Sequence, residues 1–285
     1  MRMQFWRDTV TSSLAGKPKK EPVAILLAQA AQNLIHQTDG RSKLSKTWFN
    51  RVIGERERYL GNPPYSNLEN LERYAENTYS TLLYLVLSAL PMTSISADHL
   101  ASHIGKATGI AAVLRGLPLL AFPPPPNKHS NQAAFGGHGE SRQGAVTLPL
   151  DIMAESGVKE EEVLRQGSAA PGLRDAVFAV ATRANDHLIT AREMLKNIQA
   201  GQDVGHDFEH ETQNAESRES DLEYSKGSPQ HDIERAFGVY MPAISTQAWL
   251  DALQKVDFDV FDPSLRRTDW RLPWKAYMAF YRRRL

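Results

Sequence analysis

Between residues 67 and 90, Leu68, Leu71, Ala75, Thr78, Leu82, Leu85 and Ala89 recur at alternating steps of three and four. That spacing winds one apolar stripe along an α-helix and cannot serve a strand, whose side chains alternate between faces. Asn67 stands where an N-cap belongs, and Pro91 closes the segment. The same period runs through the rest of the chain. Pro22 takes the first helical position ahead of VAILLAQAAQNLIHQ. Residues 45–60 place Trp48, Val52, Ile53 and Leu60 on a broad apolar side. Residues 97–115 carry a stripe of Leu100, Ile104, Ala107, Ala111 and Leu114. Beside it run Ala101, Gly105 and Gly109, small residues four apart that let two helix backbones approach closely. LPLDIMAESGV leads into a short predicted helix over 159–166. Pro171 opens a long one that turns Val177, Ala181, Ala184, Leu188, Ala191 and Leu195 to one face. Ser245 reads as the cap of a helix over 246–256, and a last helix follows Pro273. Clear period-two runs are absent, so the predicted fold class is all-α.

Two segments break the pattern. Residues 121–145 are rich in Pro, Gly, Ser and Asn and read as a flexible loop. Residues 201–235 hold ten acids against three Lys/Arg, with little apolar periodicity, and read as a disordered acidic insert. The whole chain carries 33 Lys+Arg and 33 Asp+Glu, so the other 250 residues are left with 30 − 23 = +7. No global charge argues for nucleic acid. The length of 285 residues suits one large domain or two small ones. The absence of cysteine excludes disulfides, thiolate metal sites and a cysteine nucleophile. The longest strongly apolar run, LLYLVLSAL, has nine residues, against ~20 for a membrane span, so no segment is expected to cross a bilayer. MRMQFWRDTV shows neither a secretory h-region nor an Arg/Ser-rich presequence. Phe5, Trp6 and Val10 read as a helix face already under way, as in a chain that begins inside a domain, and are expected to pack in the core.

Few residues look ready for catalysis. HDFEHE at 206–211 sets His206 and His210 four apart among acids, a spacing that could hold zinc on a helix. A solvated acidic linker is the favoured reading, because that segment has no core to make a rigid shell. DFDVFD at 257–262 lacks the central glycine and distal glutamate of a calcium loop, and reads as a turn whose aromatics pack inward. HIGKATG at 103–109 lies inside a helix and lacks the Lys-Ser/Thr pair of a phosphate-binding loop.

YAENTYSTLLYLVLSAL, HIGKATGIAAVLRGLP, TLPLDIMAESGV and VDFDVFDPSL occur in an order that resembles the squalene/phytoene synthase family. Within it they resemble the mitochondrial branch of complex I assembly factor 6-like proteins; MRMQFWRD fits the same pattern. The resemblance covers nearly everything outside the loop and the acidic insert, as one domain over 1–285. It implies an isoprenoid-synthase-like bundle around a central cavity, with one further helix ahead of Met1. In the active enzymes two aspartate-rich motifs hold Mg²⁺ ions that grip a prenyl diphosphate, since carboxylate-bound Mg²⁺ neutralises the departing charge. Their second motif runs Asn-x-x-Arg-Asp-x-x-Glu-Asp. Set on Arg115, the asparagine position is Ala112, the next aspartate is Gly116, and the final pair is Leu119 and Leu120.

The resemblance thus implies a non-catalytic protein that needs no cofactor, with magnesium required only if an active head-to-head prenyl synthase is the right alternative. Arg115 itself reads as a cation at a helix C-terminus. Asp151, Glu155 and Asp186 are the carboxylates left near a cavity, and they lack the Asp-x-x-x-Asp spacing. The branch implies partners among complex I assembly intermediates or other assembly factors, at the matrix side of the mitochondrial inner membrane. Trp274, Tyr281, Arg282, Arg283 and Arg284, with Tyr277 and Met278, form an aromatic and basic tail that suits an anionic membrane surface. For the aromatics, closing the helical core is the favoured reading.

Overall fold

The computed structural model describes residues 2–92, 94–124, 144–201 and 229–285. Among them are helices and no strand. In chain order they are α1 (Arg2–Leu14), α2 (Pro22–Gln37), α3 (Lys46–Arg58), α4 (Leu68–Ala75), a π-turn (Glu76–Ser80), α5 (Thr81–Leu87) and α6 (Ile95–Ala121). Then follow α7 (Leu150–Glu155), α8 (Glu160–Gln166), α9 (Leu173–Gln199), α10 (Pro229–Ala236), α11 (Pro242–Lys255) and α12 (Leu272–Arg282).

α6 is the axis. It packs most extensively on α9, and also against α4, the π-turn, α5 and α11. Leu100, Ile104, Ile110, Leu114 and Leu117 of α6 are fully buried, as are Leu173 and Leu188 of α9. The small-residue stripe does what its spacing suggests. A Cβ on Gly105 would overlap the Cα and Oγ of Ser80, and one on Gly109 would lie 2.9 Å from the Cα of Ala75. α6 is 27 residues long and apolar enough to cross a bilayer by length and composition, which the nine-residue run did not suggest. Within this fold 56% of its most apolar window is buried, so it packs as a core helix.

Several expectations need correction. The stripe over 67–90 is broken by the π-turn. Asn67 caps α4 by accepting from the Asn70 N–H at 2.8 Å. The i→i+5 turn then shifts the helical phase, so Thr81, Tyr84 and Leu85 are buried while Leu82 is exposed. α6 does not stop at 115 but runs on to Ala121, through Pro118. Proline inside a helix costs ~3 kcal/mol, and burial of Leu117, Pro118 and Ala121 offsets it. α11 starts at Pro242, so Ser245 lies inside the helix and its hydroxyl donates to the Pro242 carbonyl at 3.0 Å instead of capping. An extra helix, α7, precedes the one expected over 159–166. Residues 229–235, assigned to the disordered insert, belong to α10, with Ile233 buried. Ala121, placed in the flexible loop, ends α6. Within those two segments, 125–143 and 202–228, including His206 and His210, lie outside the described residues.

Phe5 and Trp6 are not core residues. Val10 is buried, but Phe5 and Trp6 are about two-fifths exposed and rest edge-to-face on each other at 5.5 Å. α1 buries Thr9, Val10 and Ser13 instead, one helical repeat of mixed polarity.

Candidate functional site

The positions expected to correspond to the second motif, Ala112 to Leu120, fall on the last third of α6. Ala112 and Gly116 are half-buried, Arg115 and Leu119 are exposed, and Leu120 is half-buried. A Cβ on Gly116 would meet nothing within 4 Å. Arg115 is not at the helix end, because α6 continues for six residues beyond it. Its guanidinium lies over the ring of Trp249 on α11, 5.0 Å from the ring centre, a cation–π contact. About two turns upstream, the hydroxyls of Thr108 and Thr246 meet at 3.0 Å and tie the same two helices.

Two further carboxylates, on α4 and the π-turn, meet the first half of α6 instead, at Ser102 and, through His187, at His103. Glu72 and Glu76 stand four apart, on one face. The spacing is visible in LERYAEN, but the motif expected from the family is written in aspartates and does not point to it. Both are already engaged. Glu72 accepts from Arg183 and lies 3.1 Å from His187 Nε2. Burial pushes the Glu72 carboxyl up, and the bonds from His187 and Arg183 outweigh it and hold it down at about 2. Glu76 accepts from the Tyr84 hydroxyl at 2.7 Å and the Ser102 hydroxyl at 2.8 Å. Burial opposes its ionisation too, but Lys106 and these hydroxyls keep it below the usual carboxylate range.

Behind Glu72, His187 Nδ1 lies 3.0 Å from His103 Nδ1, so one nitrogen carries a proton and the other accepts it. Burial, then the neighbouring His187, lowers the His103 imidazole to about 3. A residue pair 84 positions apart leaves no local signal in a sequence. The chain Glu72–His187–His103 joins α4, α9 and α6 through polar contacts inside the bundle.

A magnesium ion gripping a diphosphate needs carboxylate oxygens free to share one cation. Among the described residues no three His, Asp or Glu side chains gather to hold a metal. Glu72 and Glu76 are spent on internal partners. Asp151 accepts from the backbone N–H of Leu68 at 3.1 Å and of Ile152 at 2.8 Å, while Glu155 and Asp186 are exposed. The described residues do not fit such an ion.

The remaining candidates sit elsewhere. In 257–262, Phe258 packs edge-on against Phe178 at 4.9 Å, Phe261 against Phe122 at 5.6 Å, and Val260 is buried. This is the inward-packed turn expected. Its acids serve structure: Asp257 pairs with Arg174 at 2.8 Å, and Asp262 caps the Ser264 N–H at 2.7 Å. A surface hollow of about 570 Å³ opens beside this turn, lined by Gly172, Arg174, Phe178, Asp257 and Phe258 among others, and none of the α6 motif positions lines it. In the tail, the aromatics do not close the core. Trp274, Tyr277 and Tyr281 face outward, as do Arg282 and Arg284, while Arg283 folds back over Phe280 at 4.2 Å.

The chain is 34% identical over 284 residues to "NADH dehydrogenase (ubiquinone) complex I, assembly factor 6" of Bos taurus, covering 100% of the chain and 66% of that protein. It is 33% identical to the Homo sapiens protein of that name over 99% of the chain and 66% of the relative. The Drosophila melanogaster homolog is 29% identical over 98% of the chain and 67% of its own length. The chain thus spans about two thirds of the length of these relatives. Among solved structures, a dehydrosqualene synthase in complex with ligand matches 98% of this chain and 77% of its own, with a TM-score of 0.63. The squalene synthase HpnC from Alicyclobacillus acidocaldarius matches 90% and 74%, with a TM-score of 0.57. Both are 13% identical in sequence, a likeness of fold alone. The squalene/phytoene synthase family model matches residues 1–277, nearly the whole chain, and with the helical architecture around α6 this establishes that the chain belongs to that family.

Proposed function

We propose that this chain is a non-catalytic member of its family that acts in the assembly of mitochondrial respiratory complex I, at the matrix side of the inner membrane. The observation that carries this reading is the identity of about a third, over the whole chain, to proteins named for complex I assembly. The α6 segment supports the non-catalytic part. Ala112, Gly116, Leu119 and Leu120 offer no metal-binding oxygen, and Arg115 is engaged by Trp249. Without a metal-bound carboxylate pair, the charge developing on a departing diphosphate has no partner. The partners under this reading are complex I assembly intermediates or other assembly factors.

Two measurements test it. Cells lacking the gene should lose assembled complex I on native gels and lose NADH:ubiquinone activity, with sterol content unchanged. Normal complex I in such cells would refute the assembly role. Incubation of the protein with Mg²⁺ and farnesyl diphosphate should release no pyrophosphate above a heat-killed control. Turnover there, with a head-to-head product, would restore the prenyl-synthase alternative.

A further inference from the structure

α12 turns a ladder of aromatic rings to solvent. Trp274 is 66% exposed, Tyr277 57% and Tyr281 74%, at helical steps of three and four. The Trp274 and Tyr277 rings stack at 5.7 Å and 28°, and Tyr277 and Tyr281 at 6.3 Å and 15°. Trp270, just before the helix, is 80% exposed. A contiguous strip of large rings left in water marks an interaction surface.

The charges around the ladder say what covers it. Residues 266–285 hold seven Lys/Arg and one acid, Asp269. Asp269 is already engaged, with Lys275 Nζ at 3.0 Å and the Arg271 N–H at 2.9 Å. Arg271, Arg282 and Arg284 are exposed. Arg283 is not part of the surface. Its guanidinium packs over the rings of Phe280 and Phe237, and its carbonyl accepts from Gln199 Nε2 at 2.8 Å, which pins the end of α12 to α9. Amphipathic rings and cations that form no ion pair among the described residues therefore share one strip. A purely acidic protein surface would satisfy the arginines and leave the ladder wet. A bilayer interface meets both demands, because headgroup phosphates and acyl chains lie within one side chain's reach of each other. Tyr and Trp are the rings that suit that boundary.

We propose that α12 docks in the headgroup region of a bilayer rich in anionic phospholipid, with Trp274, Tyr277 and Tyr281 at the acyl boundary and Arg271, Arg282 and Arg284 on the phosphates. This rests on the inner-membrane location proposed above, but vesicle binding and complex I assembly are read separately, so either can fail without the other.

The test is co-sedimentation of the protein with phosphatidylcholine vesicles, with and without phosphatidylglycerol. The protein binds the anionic vesicles and leaves the neutral ones. Replacing Arg282→Ala and Arg284→Ala together lowers the partition coefficient about 30-fold, since each basic residue near the surface is worth ~1 kcal/mol, about fivefold. The triple change Trp274→Ala, Tyr277→Ala, Tyr281→Ala abolishes binding with its thermal melt unchanged. Arg283→Ala lowers the melt and leaves lipid affinity alone. Brominated lipid quenches the tryptophan fluorescence, and Trp274→Phe removes much of that quenching. Equal binding to both vesicle types, or binding unmoved by the paired arginine and triple aromatic variants, overturns the proposal. Self-association that the triple variant removes, without vesicle binding, also overturns it and assigns the face to a second copy of the chain.

Discussion

Gly105 and Gly116 lie on the same helix, and one substitution should act on them in opposite directions. At Gly105 a methyl group would run into the backbone of Ser80, which cannot swing aside as a side-chain tip can. Overpacking of that kind costs ~1–3 kcal/mol. At Gly116 a methyl meets nothing within 4 Å. Removing a glycine from a helix interior there gains about 0.5–1 kcal/mol. Gly105→Ala is therefore expected to lower the urea midpoint and Gly116→Ala to raise it, both at constant m. A destabilising Gly116→Ala would mean that the last third of α6 packs more closely than described. The sequence already showed the small-residue stripe through its four-residue spacing. Its neighbour, the π-turn at Ser80, was not legible, because spacing names a face and never its partner.

α6 carries the next prediction. Leu114 is fully buried and Leu119 is 58% exposed, though both sit in the same apolar run. Leu114→Asp places a carboxylate in the core with no partner and is expected to prevent folding, read as loss of the cooperative melt by circular dichroism. Leu119→Asp is expected to change stability by less than ~0.5 kcal/mol. A helix spanning a bilayer would reject both charges, so equal damage from the two would count against a core helix. The same element shows where breaker residues mislead. Gly116 and Pro118 mark an end to any local reading, and the helix passes through them because its far side is buried. The π-turn is the converse case: a strict three-four repeat continues across it in the sequence, and the extra residue turns Leu82 out to solvent.

Across the molecule, burial is uneven. α6 and α9 bury long aliphatic side chains along their whole length. α2 buries only Ala24, Ala28 and Ala31, and leaves Val23, Ile25, Leu26 and Ile35 exposed. Few apolar contacts mean a low cost of local opening. Hydrogen exchange is expected to show the amides of α6 and α9 exchanging last, through global unfolding, and those of α2 exchanging much sooner through a smaller opening. Protection in α2 equal to that in α9 would show that the exposed apolar face of α2 is held more firmly than its buried residues allow.

What the sequence determined by itself was periodicity, small-residue stripes and the motifs that carry the family. Those are local properties, written in spacings of three and four and in short runs such as YAENT and VDFDVFDPSL. The tertiary structure decided what depends on residues far apart in the chain. Trp249 lies 134 positions from Arg115 and still supplies the face its guanidinium covers, which turned a presumed helix-end cation into a contact between two helices. His187 and Arg183 take up Glu72, and Tyr84 and Ser102 take up Glu76, so a pair of acids with suggestive spacing becomes internal scaffolding. In the tail, one arginine of three consecutive ones folds inward and two stay out. Composition treats the three alike, and only the position of Phe237 and Phe280 separates them, because a cation settles where a ring face is within reach.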